Sequence, residues 1–82
     1  IMALEAEQDI EEAYSWYERQ RPGLGEEFMS KLDACIQAIC RTPTMHQFVF
    51  EHNRRGLVRR FPYAVFYEAT DDQVIVHGVF HT

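Results

Sequence analysis

The spacing of apolar residues changes once along this chain of 82 residues, and that change limits the folds open to it. Up to about residue 41 the apolar residues recur every three to four positions, which is the period of an amphipathic helix. From Gly56 onwards, short runs rich in valine, phenylalanine, tyrosine and isoleucine alternate with turn residues, which is typical of strands. The sequence therefore predicts an α+β domain in which helices precede an antiparallel sheet.

Two helices are predicted in the first half of the chain. The first should end near Gln20, because Arg21-Pro22-Gly23 disfavours continued helix, and the second should end near Thr42, before Pro43. The short connection between them predicts an antiparallel helix hairpin. The apolar stripes are formed by Ala6, Ile10, Ala13, Tyr14 and Tyr17 in the first helix and by Phe28, Leu32, Cys35 and Ile39 in the second.

Three strands are predicted after the helices. They are Leu57 to Phe61, Ala64 to Ala69 and Gln73 to Phe80, divided by turns at Pro62 and at Asp71-Asp72. Residues 44 to 53 contain the apolar run Phe48-Val49-Phe50 and are predicted to be a loop or a short edge strand. We expect the helix pair to cover the sheet face that carries Leu57 and Phe61, and residues 1–82 to form a single domain.

Composition excludes several functional classes. No apolar run approaches the roughly 18 residues that a membrane helix needs, so we expect a cytoplasmic protein with no membrane partner. Cys35 and Cys40 would point about 140° apart on one helix, which predicts reduced thiols. The histidines and cysteines lack zinc-ligand spacing, and there is no glycine-rich phosphate loop, so neither a metal nor a cofactor is expected.

Charge is unevenly distributed along the chain. The net charge of -5 and the pI near 5.2 argue against a protein that coats nucleic acid. Arg54, Arg55, Arg59 and Arg60 nevertheless lie in one short stretch, which could bind a phosphate or an acidic partner segment, or could form a solvated strand edge. Trp16, at the margin of the first apolar stripe, is either a residue at the edge of the core or part of a partner-binding surface.

Three segments stand out by their order and spacing. The first is Asp9 to Glu18, followed by Pro22-Gly23-Leu24-Gly25 and Phe28; the second is Arg54 to Tyr67; the third is the apolar run Val74 to His81. Together they resemble the ParE-type branch of the RelE/ParE toxin family, over nearly the whole chain. The resemblance implies a helix hairpin packed on an antiparallel sheet of three to four strands. Family members usually begin with a further strand before the first helix, and the chain could lack that strand, because only Ile1 to Glu5 precedes the helix here.

The resemblance also implies a function. The chain would be the toxin component of a type II toxin-antitoxin module of the plasmid-stabilisation kind, which binds a target such as DNA gyrase without catalysis. A cognate antitoxin would neutralise it by wrapping over the helix hairpin and a sheet edge, with acidic side chains paired to the arginines between Arg54 and Arg60. Bare strand edges would also suit a homodimer.

Two alternatives remain open at the level of sequence. Members that resemble RelE cut messenger RNA on the ribosome, and the candidate catalytic residues here would be Arg59, Arg60, Tyr67 and His81. As neighbours in a strand, Arg59 and Arg60 should point to opposite faces of the sheet. Ala64 stands where that branch commonly has an arginine, which favours the non-enzymatic function. The third possibility is an inert binding or assembly module that keeps the fold.

Overall fold

Two helices precede a four-stranded antiparallel sheet, as the change of period predicts. A computed structural model describes residues 1–82. The sheet has the strand order β1-β2-β3-β4, so that β1 and β4 are its edges. The elements are α1 (Leu4–Gln20), α2 (Leu24–Arg41), β1 (Gln47–Phe50), β2 (Asn53–Leu57), β3 (Tyr63–Ala69) and β4 (Val74–His81).

The helix hairpin is confirmed, and a carboxylate of α1 fixes its turn. Glu18 Oε1 accepts hydrogen bonds from the backbone N–H groups of Gly23 and Gly25, at 3.0 and 2.8 Å. These N–H groups lie at the start of α2, where no helical carbonyl is available to them. Gly23 has a φ of 92°, and a Cβ at Gly25 would lie 2.9 Å from the Tyr14 carbonyl oxygen, so both positions suit glycine.

The core lies between the hairpin and one face of the sheet, which we call the covered face. Its largest fully buried side chains are Tyr67, Phe28, Leu32, Ile39 and Val65. At one end of the sheet, Phe61 packs edge-to-face against Tyr17 and Phe28, with ring centroids 4.9 and 5.3 Å apart. Such aromatic pairs add stability beyond the area they bury.

Neither α1 nor α2 combines the length and the apolar character that a helix needs to cross a lipid bilayer.

The prediction that the first strand runs from Leu57 to Phe61 is wrong. The strand ends at Leu57, and residues 59–62 form the turn to β3, closed by a hydrogen bond from Val58 N to Tyr63 O. Arg60 adopts a φ of 70°, which a continuous strand does not allow. The predicted turn at Pro62 is confirmed, but it begins at Arg59, earlier than the sequence predicts. The strand that precedes it, β2, ends at Leu57.

The expected orientation of the first strand is also wrong. Leu57 faces away from the helices and is 61% exposed, whereas Gly56 faces α2. A Cβ at Gly56 would lie 2.9 Å from Ile39 Cδ1, so glycine lets α2 approach the sheet closely. Phe61 does pack in the core, but it reaches the core from the turn and not from a strand.

Residues 44 to 53, for which the sequence predicts either a loop or a short edge strand, contain the edge strand β1. All four of its residues are exposed, and its pairing with β2 is irregular between Phe48 and Phe50. At the opposite edge, the residues that precede α1 pair with β4: Met2 forms a parallel bridge with Val76, and Ala3 N donates to Val76 O at 2.9 Å. The two edges of the sheet are therefore unlike, since only β4 has further backbone pairing along its outer side.

Candidate functional site

The face of the sheet that the helices leave uncovered is a candidate binding surface; we call it the open face. Residues that pair across antiparallel strands share a face, and the strand register gives Arg55 opposite Phe66, Leu57 opposite Ala64, and Ala64 opposite Phe80. The side chains that shape the open face are Phe50, Asn53, Arg55, Leu57, Phe66, Glu68, His77 and Phe80.

Much of the open face is apolar. Phe50, Leu57 and Phe80 are 65, 61 and 46% exposed. The Phe80 ring lies over Gly78, where any side chain would displace it, and its centroid is 5.3 Å from that of Phe66. A cleft of about 480 Å³ runs between this ring pair and β1. Large exposed apolar side chains grouped in this way mark a surface that binds a partner.

The polar groups of the open face are few. Arg55 is half-buried beside Phe66 and makes no hydrogen bond or ion pair within the protein. His77 Nε2 lies 3.3 Å from Glu68 Oε1 across two neighbouring strands. One unpaired guanidinium among apolar side chains suits an acidic group on an otherwise apolar partner.

The four arginines singled out in the sequence do not share one surface. Arg54 lies on the covered face, where its Nη1 donates to the carbonyl oxygens of Thr44 and His46, at 3.0 and 2.7 Å. Its guanidinium carbon stands 3.7 Å from the centre of the Phe48 ring. Arg54 therefore holds the segment before β1 against the sheet, and its donors on Nη1 are already occupied.

Arg59 and Arg60 lie in the turn between β2 and β3, and both are exposed. The prediction that they occupy successive strand positions on opposite faces is wrong, because the strand ends before them. Arg60 lines a shallow hollow beside α2 together with Lys31 and Phe61. The turn thus displays cations at one end of the sheet, separate from Arg55.

The remaining nuclease candidates lie in different surroundings. Tyr67 is fully buried, and its hydroxyl donates to the Pro43 carbonyl oxygen at 2.7 Å. Burial raises the pKa of Tyr67, although the nearby Arg54 acts to lower it. His81 pairs with Tyr63 at the end of β4. Tyr67 lies four positions after Tyr63 in β3, a distance of about 13 Å along the strand, so the structure does not bring Arg59, Arg60, Tyr67 and His81 together.

Trp16 is half exposed and lies where α1 meets the end of β4. Its ring packs edge-to-face on Tyr17, with centroids 5.1 Å apart. Sequence reasoning found Trp16 but missed its surroundings, in which Asp9 Oδ2 accepts a hydrogen bond of 3.1 Å from Val79 N. It also missed the open face, for which one signal was available: the run from Tyr63 to Tyr67 is apolar on both faces of the strand.

Comparison with known proteins gives a family and a fold. A family model described as the ParE toxin of the type II toxin-antitoxin system parDE matches residues 1–82. Among solved structures, a chain of the "Chromosomal ParDE TA system from P. aeruginosa" superposes with a TM-score of 0.86. The two chains are 9% identical, and the match covers 99% of this chain and 91% of the other. A search of curated proteins finds no match.

Proposed function

Because the chain belongs to the ParE toxin family of type II toxin-antitoxin systems, we propose that it inhibits a cellular target by binding it, without catalysis. DNA gyrase is the target we favour, and a cognate antitoxin neutralises the toxin by covering its binding surface. The observation that carries this proposal is the open face, an exposed group of apolar side chains around one unpaired guanidinium. Exposed apolar side chains grouped around a charged group are typical of a surface that recognises a protein.

The geometry of the open face supports a protein partner. Its cleft of about 480 Å³ has the aromatic side chains of Phe50, Phe66 and Phe80 along its walls. Aromatic residues and arginine are the residue types that most often dominate binding energy at protein interfaces. Arg55, which has no partner within the chain, would pair with a carboxylate at the centre of such an interface.

The endoribonuclease alternative has weaker support. Cleavage of RNA through the ribose 2'-hydroxyl needs a base and cationic groups that converge on one phosphate. Tyr67 is buried, and its hydroxyl is already bonded to Pro43, whereas Arg59 and Arg60 extend from a turn beyond the strand. These positions favour binding over cleavage.

The antitoxin would use the β1 edge as well as the open face. All residues of Gln47–Phe50 are exposed, and no strand pairs with the outer side of β1. An extended antitoxin segment could add a strand there, place apolar side chains beside Phe50 and bring an acidic side chain to Arg55. The same edge could pair with a second copy of this chain, and the mass of the purified toxin in solution distinguishes that homodimer from a monomer.

Two assays test the proposed function together. Purified toxin is added to DNA gyrase and the supercoiling of relaxed plasmid is measured, and messenger RNA on translating ribosomes is examined by primer extension. We expect loss of supercoiling and intact messenger RNA. Codon-linked cuts with normal supercoiling would contradict the proposal, and unimpaired growth on expression of the toxin would favour the inert binding module.

A further inference from the structure

A second hollow lies where α1 passes the edge strand β4; we call it the α1–β4 cleft. It has a volume of about 320 Å³, at the small end of the range for ligand pockets. It lies beside the outer side of β4, at the end where the residues preceding α1 no longer pair with that strand. Its lining includes Asp9, Glu12, Trp16, Tyr63, Phe80 and His81.

Four of the eight residues that line the cleft carry aromatic rings. Trp16 is 50% exposed, so its ring is accessible to a ligand, whereas the Phe80 ring extends over Gly78 on the open face. Tyr63 and His81 pack edge-to-face across β3 and β4, with centroids 5.3 Å apart. The faces of tryptophan, tyrosine and phenylalanine rings attract cations, and tryptophan attracts them most strongly.

The charged side chains of the cleft are acidic. Asp9 and Glu12 are both carboxylates, and none of the residues that line the cleft is lysine or arginine. Asp9 uses Oδ2 to accept a hydrogen bond from Val79 N, so its position is fixed and its other oxygen carries no such bond. Glu12 is exposed and makes no hydrogen bond or ion pair. Arg19 lies further along α1 and does not line the cleft; it lines an adjoining hollow that shares Glu12 and Trp16 with the cleft.

We propose that the α1–β4 cleft binds an arginine side chain of a partner polypeptide, with the guanidinium stacked on Trp16 and paired to Glu12 and Asp9. A planar guanidinium suits this site better than an ammonium group, because it stacks on an aromatic face and donates two parallel hydrogen bonds to a carboxylate. The inference goes beyond the proposed function, since the cleft opens beside α1 and not on the open face, and it does not depend on gyrase being the target.

The single tryptophan of the chain makes the test direct. A tripeptide Gly-Arg-Gly, blocked at both ends, is titrated into the full chain while Trp16 fluorescence and the amide chemical shift of Val79 are recorded. A tripeptide with citrulline in place of arginine keeps the shape of the side chain but lacks its charge. We expect a saturable response to the arginine peptide, and about tenfold weaker binding of the citrulline peptide, since charge-assisted hydrogen bonds are lost.

Glu12→Gln should weaken binding of the arginine peptide by about tenfold, because it removes the carboxylate beside Trp16. Glu11→Gln is the matched control, since Glu11 is exposed on the same helix but does not line the cleft; its binding should equal that of the wild type. Both variants alter exposed side chains, and a wild-type melting curve checks that each is folded. Equal binding of the two peptides, or unchanged binding by Glu12→Gln, would overturn the proposal.

Discussion

The hydroxyl of Tyr67 donates a hydrogen bond of 2.7 Å to the carbonyl oxygen of Pro43, which joins the centre of the sheet to the segment that leaves α2. Neither partner in this hydrogen bond is freely exposed to water, because Tyr67 is fully buried and Pro43 is half-buried. The bond fixes where the chain turns from the helix layer towards β1. Tyr67 therefore supports the fold, in contrast to a catalytic group, which must be accessible to its substrate.

Replacing Tyr67 by phenylalanine should lower the free energy of unfolding by about 1–2 kcal/mol, since it removes the hydrogen bond and leaves the Pro43 carbonyl without its partner. Urea denaturation measures the change. Tyr63→Phe is the matched control, because the Tyr63 hydroxyl makes no hydrogen bond, and it should cost less than about 0.5 kcal/mol. Equal losses in the two variants would contradict this role of Tyr67.

Alkaline pH should destabilise the protein in part through Tyr67. Its pKa is raised above 10.0 in the folded state, mainly by burial, so above about pH 10 the folded protein binds more protons than the unfolded chain. The contribution of Tyr67 to the free energy of unfolding should therefore be constant below about pH 10 and should fall as the pH rises above that value. The fall should be shallower for Tyr67→Phe than for the wild type, while the raised pKa of Tyr17 contributes to both proteins. Parallel pH profiles would show that Tyr67 makes no such contribution.

Gly56→Ala should destabilise the fold by about 1–3 kcal/mol, because the new methyl group would crowd Ile39 Cδ1 where α2 approaches β2. Ile39→Val removes that carbon atom at a cost of its own of about 0.5–1.5 kcal/mol. In the Ile39→Val background, Gly56→Ala should then cost less than it does alone. A double-mutant cycle from thermal denaturation measures this coupling, and strictly additive effects would argue against the close approach.

Glu18→Ala should lower the free energy of unfolding by about 1–2 kcal/mol, since two backbone N–H groups at the start of α2 lose their acceptor. Glu11→Ala changes an exposed glutamate of the same helix that makes no such bond, and it should stay within about 0.5 kcal/mol of the wild type. Chemical denaturation of both variants provides the comparison. A loss in Glu11→Ala as large as that in Glu18→Ala would count against the role of Glu18.

The helices and the last two strands could be predicted from the sequence because local signals and tertiary structure agree there. Pro22-Gly23 ends α1, and the runs that become β3 and β4 are rich in strand-forming residues. The strand β2 could not be predicted, because Arg54-Arg55-Gly56 has little strand propensity and is held in the sheet by pairing with β3. The positive φ of Arg60 likewise results from the closing of a turn, since the residue type does not favour it.

The candidate site was predicted less well, for a related reason. The sequence places the strand about four residues too late, so it predicts strand positions for Arg59 and Arg60, which lie in the turn after β2. The sequence gives no sign that Tyr67 would be bonded to Pro43, 24 residues earlier. Leu57 and Phe80 are far apart in the chain, and only the strand register places them on the same face.

Leu57 provides the most direct test of the account. It is 61% exposed on the open face, whereas Leu4, at the start of α1, is 65% exposed away from that face, so the two leucines form a matched pair. Because both are exposed, Leu57→Asp and Leu4→Asp should each stay within about 0.5 kcal/mol of wild-type stability. The decisive measurement is the inhibition of gyrase supercoiling by the two purified variants. We expect Leu57→Asp to lose inhibition and Leu4→Asp to retain it; full inhibition by Leu57→Asp would contradict binding through the open face.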